Sequence, residues 1–172
     1  MTDHSDQGPA PQMSMNRRSS ARLAAVQALY QMELGGSTVE DVISQFVGMT
    51  PAPPGPDAED AELANLPEPD PSLFGSIVRG VQVHRVRLHE MISGALTTDW
   101  TVERLQILVR LILEAGVYEL TERADVPPRV AINEYVNLAH AFFDGAEPGL
   151  INGVLDAVAK SYRADDMAKA RG

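Results

Sequence analysis

Three arginines, Arg17, Arg18 and Arg22, stand where the first periodic segment of the chain begins. A guanidinium is always charged, pairs with phosphate in bidentate fashion and stacks on bases. Arg18 and Arg22 are four residues apart, so on a helix they share a face. The free backbone N–H groups of a helix start add a field that favours anions. These residues are therefore the candidate contact for an RNA backbone. The plain alternative is a solvated helix start, with the arginines paired to nearby acids.

The other chemistry-bearing residues are poorly arranged for catalysis. His84 and His89 are five residues apart, which is not the i, i+4 spacing of a zinc helix. His140 stands alone and His4 lies near the N-terminus, so no metal site is expected. Carboxylates gather between residues 57 and 70, at Asp57, Glu59, Asp60, Glu62, Glu68 and Asp70, with no basic residue among them. A general acid–base pair needs rigid, partly buried placement, and no such pair is evident. The chain has no cysteine, which excludes a disulfide framework, a thiol nucleophile and a Cys-based zinc site. It also lacks GxGxxG, GxxxxGK[ST] and GxSxG motifs. An enzyme is therefore not expected.

Length and charge bound the rest. At 172 residues the chain can bury a core as one domain. With four Phe, four Tyr and one Trp, aliphatic residues and alanine must build that core. The net charge is −10, so any surface for RNA must be small and local. No apolar run approaches the roughly 20 residues that span a bilayer. The N-terminus lacks the basic and apolar regions of a secretory signal. The expected location is the cytoplasm.

The elements that would position these residues are helical. Residues 1–14 are polar and lack periodicity, and read as a disordered tail. A helix is predicted over Asn16–Leu34, with Leu23, Val26, Tyr30 and Leu34 on one side and Gly35-Gly36 ending it. A second starts at Ser37, whose spacing to Glu40 fits a capping box; Val39, Val42, Ile43 and Phe46 form its stripe. Residues 50–71 hold seven of the twelve prolines and read as an extended or mobile loop, with a short helical turn near Glu62–Asn65. A third helix runs from Pro71, capped by Asp70, to about Leu96. The fourth is expected from Trp100 to Thr121. It has a wide apolar stripe from Leu105 to Leu120, with Glu103, Arg110 and Glu114 on the opposite side. Pro127 and Pro128 separate it from a helical hairpin, Arg129–Phe143 and Pro148–Tyr162. The hairpin's stripes begin at Val130 and Leu150. Residues 163–172 read as a polar tail. The sum is a single all-α domain over residues 15–162.

The wording of these helices is specific. NRRSSARLAAVQALYQMEL, DWTVERL, ILEAGVYEL, PPRVAINE and INGVLD occur in that order over most of residues 16–160. In this the chain resembles the NusB family. The resemblance implies a two-lobed helical bundle of about six to seven helices. It implies binding of boxA-like single-stranded RNA together with ribosomal protein S10, in transcription antitermination that supports ribosomal RNA synthesis. RNA polymerase and other elongation factors would be indirect partners, no cofactor is needed, and both monomers and homodimers occur in the family.

Carried over residue by residue, Arg17, Arg18 and Arg22 correspond to the family's RNA-binding start. Ser19 and Ser20 stand where many members have further Arg or Lys, which weakens the expected phosphate contact. Tyr30 matches the family tyrosine near the surface associated with RNA and S10, Glu119 is retained, and both are expected partner-binding residues. Val109 and Glu114 depart from the family, which often shows an acid at the first and an arginine at the second; a polar contact to S10 is lost if the acidic position faces it. Asn133-Glu134 and Asn152-Gly153 match as well. Their expected role is structural, with Gly153 allowing close helix approach. Two other classes bear comparison. A helical protein-interaction adaptor would share the bundle without RNA affinity. A subunit of an RNA methyltransferase would need catalytic cysteines, which this chain lacks.

Overall fold

Asn16 sets the start of the first helix. Its side chain accepts from the Ser19 amide at 2.8 Å, satisfying one of the free donors of the first turn. Helix α1 spans Arg17–Gly35 and stops where Gly36 takes a φ of 68°, a left-handed conformation that suits glycine, and returns its N–H to the Met32 carbonyl. The computed structural model describes residues 16–46, 67–97 and 100–169. The expected N-terminal tail, the turn near Glu62–Asn65 and most of the Pro-rich loop lie outside the described residues.

Helix α2 covers Val39–Phe46, two residues later than the expected start. Its cap is Thr38, whose Oγ1 accepts from the Asp41 amide at 3.2 Å; that hydroxyl, rather than Ser37, is within reach of the third amide. Helix α3 spans Pro71–Ala95, and Asp70 accepts from the amides of Ser72 and Leu73 at 3.0 and 3.1 Å, as its position before a first-turn proline predicts.

The segment read as the start of the fourth helix is different. Val102–Arg104 forms a single 3-10 turn, Leu105 and Gln106 take extended ψ angles near 143°, and helix α4 begins only at Ile107, running to Glu122. In a 3-10 turn residues i and i+3 eclipse. That places both Val102 and Leu105 in the core, at 2% and 8% exposure. Helix α5 spans Pro128–Phe142 and helix α6 spans Glu147–Tyr162. Val130, expected to open the buried stripe of α5, is exposed; the inward face is Ala131, Ile132, Tyr135, Leu138 and Ala139.

The predicted polar tail instead contains a short helix, α7, Ala164–Lys169. Met167 is buried. Arg163, just before it, donates to the carbonyls of Leu120, Ala124 and Val126 at 3.2–3.3 Å and to Asp166 at 2.7 Å. One guanidinium thus ties α7 to the turn between α4 and α5.

Helix α4 is the shared centre. It packs against α1 and α3 on one side and α5 and α6 on the other. Helices α1–α3 form one lobe and α5–α7 the second, giving the two-lobed all-α bundle. With neighbours all round, every residue from Leu111 to Leu120 is buried. Glu114, expected on a solvent side, has none to face. Close approach depends on Gly80 and Gly116. A Cβ at Gly80 would stand 2.1 Å from the Tyr118 ring, and one at Gly116 would stand 2.9 Å from Leu155 Cδ2. Gly153, expected to serve this purpose, has open space around it. Among the described residues no helix is long and apolar enough to cross a membrane.

Candidate nucleic-acid interface

The first turns of α1 divide the three arginines between surface and interior. Arg17 and Arg18 are exposed, whereas Arg22 is only 3% exposed. Its Nε and Nη2 donate to the two carboxylate oxygens of Glu119 at 2.8 and 2.9 Å, and Glu119 is fully buried. Glu134 of α5 adds an oxygen 3.5 Å from Arg22 Nη1 and accepts from the Ser19 hydroxyl at 2.8 Å. Burial alone would weaken the protonated form of Arg22; the hydrogen bonds and charge of Glu119 outweigh it, and the pKa is raised. Tyr135 packs beside this pair, and its hydroxyl is held well above the ordinary range, first by burial and then by the charge of Glu119.

Two sequence expectations change here. Arg22 is not an outward-facing phosphate ligand, and Glu119 is not an exposed partner contact. Their charges satisfy each other inside the bundle, where an unpaired ion is costly. Ser19 and Ser20, read as lost surface charges, also face inward. Glu134, expected to satisfy backbone groups, instead holds the side chains of Ser19 and Arg22.

Arg17 and Arg18 remain available above this buried pair. Arg18 Nη2 lies 3.9 Å from Asp125 Oδ2, a long exposed pair of small energetic weight. Asp125 is itself held below the usual carboxylate range, chiefly by the hydrogen bond from Arg123. Arg17 Nε donates to the Glu68 carbonyl at 3.3 Å, and the Arg17 carbonyl accepts from the Asp70 amide at 3.0 Å. The start of α1 is thus held against the segment preceding α3. Two guanidiniums standing on a fixed helix end can take two phosphates of one strand.

Tyr30 lies 12 residues beyond Arg18 on α1, about 18 Å along the axis. It is 40% exposed, and Leu34, one turn on, is also exposed. Between them Glu33 reaches Arg85 of α3 at 3.6 Å and pairs with Arg110 of α4. Arg110 also donates to the buried Glu114 at 2.8 Å, and His89 bonds to the same carboxylate. Burial tends to lower the pKa of Arg110, but Glu114 and Glu33 raise it overall. Sequence reading missed this ionic cluster; its only local signal was the i, i+4 spacing of Arg110 and Glu114. Val109 is buried at 2%, so the position where the family often has an acid faces the core here. Among the described residues no cluster of His, Cys, Asp or Glu is placed to hold a metal ion.

Comparison with known proteins bears on the same helices. The model of the NusB family matches residues 19–160. Transcription antitermination protein NusB of Rhodospirillum rubrum is 46% identical over 171 residues, covering 92% of each chain. Among solved structures, T. maritima NusB has a TM-score of 0.68 at 22% identity, covering 90% of this chain and 99% of its own. A chain of the crystal structure of antitermination factors NusB and NusE in complex with dsRNA has a TM-score of 0.61 at 21% identity, covering 84% and 96%. At that identity the two structures speak for the fold alone. The family match and the R. rubrum relative go further: this chain belongs to the NusB family.

Proposed function

We propose that this chain is an RNA-binding transcription antitermination factor that holds boxA-like RNA jointly with ribosomal protein S10, in support of ribosomal RNA transcription. It works in the cytoplasm, without catalysis or cofactor. The observation that carries the reading is the division within α1. Arg17 and Arg18 stand exposed at the helix start, each with a single long contact, while the Arg22–Glu119 pair beneath them fixes that start to α4. Two exposed cations on a chain of net charge −10 make a small RNA site. A second protein that adds its own contacts to the same strand would enlarge it. Tyr30 and Leu34, exposed further along α1, offer an apolar edge for that protein. Arg22 and Glu119 act as positioning residues.

The test separates the two kinds of arginine. Arg17→Ala and Arg18→Ala should weaken RNA binding at unchanged melting temperature. Each should flatten the salt dependence by roughly 0.7 log unit of affinity per log unit of salt for a single strand. Both single-stranded and double-stranded boxA-like RNA belong in the titration, since the solved NusB–NusE complex contains dsRNA. Unchanged affinity and slope in both variants would move the RNA site away from α1. The second reading, an adaptor that binds S10 alone, is favoured by how thin the cationic surface is; S10 binding with no RNA affinity in the parent protein would establish it.

A further inference from the structure

In this acidic chain most cations are already tied to a carboxylate within 4.0 Å. Among the described residues Arg17, Arg104, Arg129 and Lys169 have no such partner. Three of these four belong to elements that meet around one corner of the bundle. Arg18 at the start of α1 reaches Asp125 in the turn between α4 and α5. Arg129, the second residue of α5, follows Asp125 by four positions, a chain reach of at most about 14 Å. Arg129 and Lys160 then line an open cleft of about 380 Å³ with Ala164, Met167 and Ala168, and Lys169 comes next on α7.

The corner is rigidly assembled. Arg163 donates to one carbonyl of α4 and two of the α4–α5 turn, which ties the start of α7 to the segment leading into Arg129. It also occupies Asp166 at 2.7 Å. Lys160 keeps a bond to Asp156 at 2.7 Å, one turn back on α6. Of the two cations that line the cleft, Arg129 is therefore the one without a carboxylate partner, and Lys160 and Lys169 add positive charge nearby.

We infer that the RNA face continues past α1 across the α4–α5 turn to Arg129, Lys160 and Lys169, and that this corner takes backbone phosphates of nucleotides flanking those held at Arg17 and Arg18. The inference rests on the RNA reading proposed above. Contacts of this kind carry no base specificity; they add affinity, length dependence and salt sensitivity. Asp125, paired with Arg18 at 3.9 Å and with Arg123 at 3.1 Å, is the carboxylate that a strand passing from Arg18 to Arg129 has to avoid.

The experiment uses the full chain with S10 present and two RNAs: a minimal boxA-like oligonucleotide, and the same sequence extended by about five nucleotides at each end. Parent, Arg18→Ala, Arg129→Ala and Arg129→Lys are compared by fluorescence anisotropy at several salt concentrations. Arg129→Ala should bind the minimal RNA as the parent does and the extended RNA several-fold more weakly, with a salt slope flatter by about 0.7. Arg129→Lys should recover most of the loss, since charge and not a packed shape is required. If Arg18→Ala weakens both RNAs while Arg129→Ala matches the parent on the extended one, the RNA face ends at α1 and the inference fails alone. If the parent binds neither RNA, the proposed function fails with it. A weaker S10 complex for Arg129→Ala, measured without RNA, would reassign the corner to a protein contact and overturn the inference.

Discussion

Arg18 and Arg22 are one helical turn apart, yet one is 46% exposed and the other 3%. Their spacing is readable in the sequence; their division is not, because the partner that draws Arg22 inward stands 97 residues away. Removing one member of a buried ion pair leaves an uncompensated charge and typically costs about 3–5 kcal/mol. Arg22→Ala and Glu119→Gln should therefore both lower the melting temperature, while Arg18→Ala should not. A thermal scan of the three variants checks this directly. Arg22→Ala should bind RNA in proportion to its folded fraction; a stable Arg22→Ala protein with no RNA affinity would restore Arg22 to the interface. Beside this pair Tyr135 gives a pH signature. Its folded pKa is raised above the ordinary 10. Above pH 10 the unfolded chain releases that proton while the folded chain keeps it. The stability it contributes is therefore whole below pH 10 and is lost as the pH climbs further. Tyr135→Phe should flatten the decline of melting temperature above pH 10, and an unchanged decline would mean the hydroxyl is solvated in the native state.

At the scale of elements, local chemistry was legible and long-range chemistry was not. Asp70-Pro71 and Gly35-Gly36 announce a helix start and a helix end through side chains and backbone that act within a turn, and both appear where expected. The start of α4 was misplaced because a 3-10 turn buries Val102 and Leu105 with nearly the same residue spacing as an α-helix. Helix α7 is not legible because six residues, half of them charged, are too few to carry a periodic signal of their own. Arg163 and Met167 hold it against distant elements. Met167→Ala should cost about 2 kcal/mol, at the low end for a buried Met truncation, visible as a lower urea midpoint. Glycine spacing misled for a similar reason, since the close contacts involve helices that are remote in sequence. Gly80→Ala should destabilise by about 1–3 kcal/mol, because the added methyl meets the Tyr118 ring. Gly153→Ala, in open space within α6, should stabilise by roughly 0.5–1 kcal/mol. The opposite ranking in a denaturation series would contradict the packing described here.

For the whole molecule, the central position of α4 explains how a small cationic site is kept in place on an acidic protein. Glu119 reaches from α4 to the N-terminal end of α1, and Glu114, one turn and a half earlier, collects Arg110 and His89 while Glu33 brings in the far end of α1. Both ends of α1 are thereby referenced to one buried helix. The two-lobed arrangement was expected from the resemblance, and the periodicity of the chain required helices; neither indicated that α4 would carry two interior carboxylates. A rigid α1 with two exposed arginines at its start and an apolar edge beyond is suited to sharing one strand with a partner, and poorly suited to holding RNA tightly alone. The direct measurement is a fluorescence titration of boxA-like RNA with this protein, with and without saturating S10, at fixed physiological salt. Markedly tighter RNA binding is expected when S10 is present, and equal affinity in the two titrations would contradict joint recognition.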